Sequence, residues 1–188
     1  MSKKHHLHYV LVADKSGSMS GQIDEVRREI NLQVEKLRKD TTEENPCTFT
    51  LRTFDSLVEN VAVNVPIDKV PLITEGDYGL GGTTALFDAI GSTIVGLENT
   101  VLDRIDGDKE SLTMIVFSDG GENASSEFKA DDIKKMLDKY ENKDGFHYRS
   151  IDELVSGLGN KKVVWKYRAD DIISAGKMEN NTKIMKHF

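Results

Sequence analysis

Apolar residues along this chain fall into two kinds of run. The first kind is short and nearly continuous. His8 to Ala13 (His-Tyr-Val-Leu-Val-Ala) and Ser111 to Ser118 (Ser-Leu-Thr-Met-Ile-Val-Phe-Ser) read as strands buried on both faces. The second kind recurs at helical spacing with charges between. Ile23, Val26, Ile30, Val34 and Leu37 predict a helix from Gln22 to Lys39, and Leu86, Ala89, Ile90, Ile94 and Leu97 one from Ala85 to Leu102. Ile133, Met136, Leu137 and Tyr140 predict a third from Ala130 to Tyr140.

Between the first two helices lie two stretches rich in Thr, Val and Phe, Thr48–Phe54 and Leu57–Val63. Asp55-Ser56 between them suits a hairpin turn. Pro66 to Gly82 carries Pro71, Gly76, Gly79, Gly81 and Gly82 and reads as loop. After Tyr140 the pattern suggests strands at Phe146–Arg149 and Lys162–Arg168, with a helix Asp152–Leu158 between them. A last helix begins near Asp170.

Strands alternating with helices predict an α/β fold. The expected architecture is three-layered and doubly wound. Its central sheet is mostly parallel, the hairpin supplies one antiparallel edge strand, and helices cover both faces. At 188 residues the chain fits a single domain, with a core over about 7–168 and a helical tail from 169 to 188. In such sheets, ligands bind beyond the carboxyl ends of the strands. Asp14 and Asp119 each follow a buried strand, so the fold is expected to bring them to one rim.

Composition narrows the function. Asp and Glu number 32 against 25 Lys and Arg, a formal net charge of -7. That balance disfavours non-specific nucleic-acid binding, which depends on basic residues that neutralise phosphate. The single cysteine, Cys47, excludes an intrachain disulfide framework and a Cys-rich zinc site, and reads as a small apolar residue on a strand. No signal peptide or membrane span is visible, so a cytoplasmic home is expected. The glycosylation-type pattern at Asn123-Ala124-Ser125 is then read as chance. His5, His6 and His8 read as part of a solvated terminus.

Three segments carry the candidate chemistry. Asp14-Lys15-Ser16-Gly17-Ser18 places oxygen side chains at i, i+2 and i+4, which share one face in an extended segment. Hard cations such as Mg²⁺ take oxygen ligands. Serine hydroxyls are neutral, so they leave such an ion electrophilic. Gly81-Gly82-Thr83-Thr84 precedes a helix. The glycines permit close backbone approach, and a threonine there either points at a metal or caps the helix. Asp119, in Phe117-Ser118-Asp119-Gly120-Gly121, follows the second buried strand.

Together these segments resemble the metal-ion-dependent adhesion site of von Willebrand factor type A (VWA) domains. The matches are Val10 to Met19, Gly82 to Ala89 and Ile115 to Gly120, in order, within about residues 7–125. Val164 to Asp170 is more loosely similar to a late strand of short, stand-alone intracellular bacterial or phage members. The resemblance implies direct coordination by the hydroxyls of Ser16 and Ser18. It implies that Asp14 and Asp119 hold the ion largely through water, with a threonine as a further ligand. Thr84 is preferred, because the family's threonine stands five residues before a small helix residue, here Ala89. Thr83 then caps the helix or neighbours the site, with Gly17, Gly82 and Gly120 as secondary candidates. The implied ion is Mg²⁺, with Mn²⁺ or Ca²⁺ as substitutes. The implied partner is a protein that presents an Asp or Glu, with no nucleic acid or membrane involved.

Other chemistries fit less well. An EF-hand starting at Asp14 would need glycine where Met19 stands and a helix where a strand precedes. A serine hydrolase would need a base near a serine, and no G-x-S-x-G elbow occurs. The alternative kept open is a metal-dependent phosphatase of the haloacid dehalogenase type, with Asp14 as nucleophile. Its usual acid two residues on is replaced by Ser16. The expectation is therefore a binding module and not an enzyme.

Overall fold

A computed structural model describes residues 4–105, 108–118, 122–140 and 143–150. Five strands form one sheet in the order β3-β2-β1-β4-β5. They are β1 (His6–Asp14), β2 (Cys47–Phe54), β3 (Val58–Pro66), β4 (Glu110–Phe117) and β5 (Phe146–Ser150). β1 lies between β2 and β4, parallel to both, and β4 pairs parallel with β5. β3 is antiparallel to β2 and supplies the edge expected of the hairpin.

Alternation along β1 separates two apolar layers. Leu7, Tyr9, Leu11 and Ala13 face α1 (Ile23–Asp40), meeting Val26, Ile30, Val34 and Leu37. Val10 and Val12 face α2 (Leu86–Leu97) and α3 (Ala130–Tyr140), meeting Leu86, Ile90, Ile94, Ile133 and Leu137. A strand buried on both sides must be apolar at successive positions, which explains its unbroken run. The three-layer reading holds for the described residues.

Element ends differ in two informative places. The helix expected to start at Gln22 is preceded by a 3-10 turn, Gly17–Gly21. The helix expected to run to Leu102 is α-helical only to Leu97, and Glu98–Leu102 continues as a π-helical turn. Neither departure interrupts the apolar periodicity, so spacing alone does not reveal them. The readings at Asp152–Leu158, Lys162–Arg168 and beyond Asp170 lie outside the described residues. Among the described residues no helix is long and apolar enough to cross a membrane.

Candidate metal centre at the carboxyl rim

Parallel register sets the rim. Asp14 pairs with Phe54, and Ala13 pairs with Phe117. Three chain segments therefore leave the sheet side by side, after Asp14, after Phe54 and after Phe117.

Asp14 is fully buried. Its Oδ1 accepts the Ser16 amide at 2.7 Å, and its Oδ2 accepts the Ser118 hydroxyl at 2.5 Å. The Tyr78 hydroxyl donates to the Asp14 carbonyl. Tyr78 is itself fully buried, and its carbonyl accepts Arg27 of α1 at 3.1 Å. In the sequence, Tyr78 is marked only as a lone aromatic inside the Gly-rich stretch.

Ser16 and Ser18 come together, with their hydroxyl oxygens 3.0 Å apart. Alternation on an extended segment accounts for only half of this. Ser16 is extended, at φ -59 and ψ 166, but Ser18 lies inside the 3-10 turn. The turn folds Ser18 back toward Ser16. The hydroxyls at i+2 and i+4 meet through this turn and not through an extended backbone. Ser16 is buried and Ser18 is exposed, so the hydroxyl pair runs from the protein interior to solvent.

The Gly81–Thr84 segment is laced to this loop. Gly81 donates its amide to the Lys15 carbonyl at 2.7 Å, and Gly17 donates to the Gly82 carbonyl at 2.9 Å. Thr84 is buried and Thr83 exposed. Neither threonine caps α2. Ala85 holds the N-cap position with no side-chain cap bond. The first-turn amides of α2 find partners from the segment after β4. Phe87 donates to Glu122 Oε2 at 2.9 Å and Asp88 to Ser125 Oγ at 3.0 Å. A cap supplied from far along the chain leaves no local signature.

The same segment holds Thr84. Its amide donates to Asn123 Oδ1 at 2.9 Å, and its carbonyl accepts the amides of Asn123 and Ala124, each at 3.1 Å. The Asn123-Ala124-Ser125 triplet, read as a chance pattern, is thus a structural clamp. Asp119 and Gly120 lie outside the described residues.

His8 is buried on β1, not solvated. Its ring meets Thr48 Oγ1 at 2.8 Å and Glu110 Oε2 at 3.1 Å. His6 stacks on it with ring centroids 4.1 Å apart. Strand β1 begins two residues earlier than the apolar run, and this carries both rings onto the sheet. They lie at the rim opposite Asp14. Cys47 is buried, and burial pushes its thiol up to about 12, in keeping with a packing role.

No family model matches the sequence, and no curated protein does. Solved structures match by shape. A von Willebrand factor type A protein from Catenulispora acidiphila superposes with a TM-score of 0.57 at 12% identity, covering 84% of this chain and 37% of its own. The ArnB paralog VWA2 from Sulfolobus acidocaldarius gives 0.51 at 17% identity, covering 85% and 39%. The chain has a von Willebrand factor type A fold. Proximal thread matrix protein 1 from the mussel byssus gives 0.54 at 14% identity, covering 81% and 37%. The chain spans less than two fifths of the length of each of these neighbours.

Among the described residues no three His, Cys, Asp or Glu side chains gather as a metal group. What gathers is a pair of serine hydroxyls on a loop tied to the Asp14 carboxylate through the Ser16 amide. An octahedral shell with arms of roughly 2.1 Å places neighbouring oxygens about 3.0 Å apart. The two hydroxyls are hydrogen-bonded to each other at 3.0 Å, and the same spacing is one that two oxygen ligands of a Mg-sized ion would take.

Proposed function

We propose that this chain is a metal-dependent protein-binding module. A Mg-type divalent cation, with Mn²⁺ or Ca²⁺ as substitutes, would be held by Asp14, Ser16, Ser18, Thr84 and Asp119. The module would capture an Asp or Glu carboxylate of a partner protein. The observation that carries this reading is the hydrogen-bonded pair of hydroxyls, Ser16 and Ser18, on the loop that the buried Asp14 carboxylate holds through the Ser16 amide.

Each residue has a stated task. Ser16 and Ser18 offer neutral lone pairs. Asp14 fixes the loop through the Ser16 amide and supplies negative charge from behind. Thr84 is held ready by Asn123. The bound ion would supply a Lewis-acidic position open to one further oxygen. A ligand set poor in negative charge leaves that position attractive to an outside carboxylate.

The phosphatase alternative is disfavoured by the same geometry. A nucleophilic Asp needs an exposed oxygen on a line to phosphorus. Asp14 is fully buried, with one oxygen on the Ser16 amide and the other on the Ser118 hydroxyl.

Calorimetric titration of Mg²⁺ into the protein and into Asp14→Ala tests the site. The expected result is binding by the first and none by the second, and equal binding by both would sink it. Capture of a partner that elutes with EDTA tests the function. A generic phosphate ester turned over with Mg²⁺, and no longer turned over by Asp14→Asn, would favour the phosphatase instead.

A further inference from the structure

The turn between β2 and β3 reaches beyond its own hairpin. Asp55 Oδ1 accepts the Leu57 amide at 2.9 Å, the ordinary bond of a tight turn. Its Oδ2 accepts the amide of Gly82 at 3.1 Å, 27 residues away. Its backbone carbonyl accepts the Ala85 amide at 2.7 Å. These two long-range bonds fall on either side of Thr83-Thr84. The opposite flank of the segment is tied to Lys15 and Gly17. The threonine loop therefore runs between two walls, and Asp55 is the side chain that closes one of them.

The fit is close. A Cβ on Gly81 would lie 1.8 Å from Asp55 Oδ2, 2.6 Å from its Cγ and 2.7 Å from its Cβ. Gly81 is thus demanded by Asp55. Burial works to raise the Asp55 carboxyl. The amides of Leu57 and Gly82 and the charge of Lys15 outweigh it and hold the group below the usual carboxylate range.

We propose that Asp55 is a positioning residue for the metal centre, one that fixes the Gly81–Ala85 segment and thereby where Thr84 is held. This rests on the metal-binding reading above. Asp55 acts through the loop, because its carboxylate is committed to amides.

The test compares Mn²⁺ affinity, read by electron paramagnetic resonance, in the wild type, Asp55→Asn, Asp55→Gly, Gly81→Ala and the Asp55→Gly/Gly81→Ala double variant. Thermal melts in EDTA monitor folding. Loss of a charge-assisted hydrogen bond corresponds to roughly tenfold. Asp55→Gly and Gly81→Ala should each weaken Mn²⁺ binding by about that factor, with cooperative melts retained. Asp55→Asn keeps one acceptor and should recover part of the loss. The double variant should bind no more weakly than Asp55→Gly, since the added methyl no longer meets a carboxylate. Wild-type affinity in Asp55→Gly, or additive losses in the double variant, would overturn the proposal. A wild type that binds no Mn²⁺ removes the metal reading instead. Amide exchange then decides the role of Asp55. Faster exchange across residues 82–85 in Asp55→Gly supports its hold on the Gly81–Ala85 segment, and unchanged exchange overturns that hold as well.

Discussion

Asn123 brackets Thr84. Its side-chain oxygen accepts the Thr84 amide at 2.9 Å, and its own amide donates to the Thr84 carbonyl at 3.1 Å. A residue past the end of β4 thereby sets the backbone of a residue before α2, and no local spacing rule links the two.

Removal of that side chain leaves a part-buried amide without its acceptor, at a cost of about 1–3 kcal/mol. Asn123→Ala should therefore lower stability by that order in urea titrations with EDTA present. Asn123→Asp keeps an acceptor and should stay near the wild type. Equal stability of the alanine variant would mean the clamp contributes nothing.

Metal should stabilise the fold. A ligand bound only to the native state adds ~2.7 kcal/mol at a hundredfold excess over its dissociation constant. Addition of Mg²⁺ should raise the wild-type melting temperature, and Ser16→Ala and Ser18→Ala should abolish most of that rise. Calorimetry at matched Mg²⁺ concentrations reads this directly. A rise that survives in both variants would place the ion elsewhere.

Gly91 meets Phe128. A Cβ there would lie 2.5 Å from the ring's Cγ, inside any real contact distance. Phe128 is further pinned, because its amide donates to Asp88 Oδ1 at 2.9 Å. Gly91→Ala should therefore destabilise by about 1–3 kcal/mol despite alanine's higher helix propensity. Thermal melts would check it, and a gain in stability would show that the ring moves freely.

The opposite rim should give an acid-sensitive fold. Burial first, and then neighbouring His8, lower the His6 imidazole from 6.5 to about 4. Burial also lowers His8, against the pull of Glu110. An imidazole depressed in the folded state binds fewer protons there than in the unfolded chain. Stability from this pair is thus complete above pH 6.5 and declines as pH falls toward about 4. His6→Gln should flatten stability against pH across that window, as read by denaturant titrations.

Much of this protein was legible in one dimension. The unbroken apolar runs around Val10 and Ile115 determined two buried central strands, because a strand covered on both faces has no polar side to show. The helical spacing from Ile23 to Leu37 and from Leu86 to Leu97 determined covering helices. Strand–helix alternation then put Asp14 at the sheet's carboxyl rim. Tertiary structure alone decided how the rim is held. The 3-10 turn returns Ser18 to Ser16. Tyr78 and Ser118 lock Asp14, Asp55 closes on Gly82, and the segment after β4 caps α2 and grips Thr84. Apart from the Ser16–Ser18 pair, these bonds join residues tens of positions apart, and most of them use a backbone amide or carbonyl that every residue carries. Side-chain patterns report which face is buried. They carry no record of which distant backbone group a given oxygen will meet.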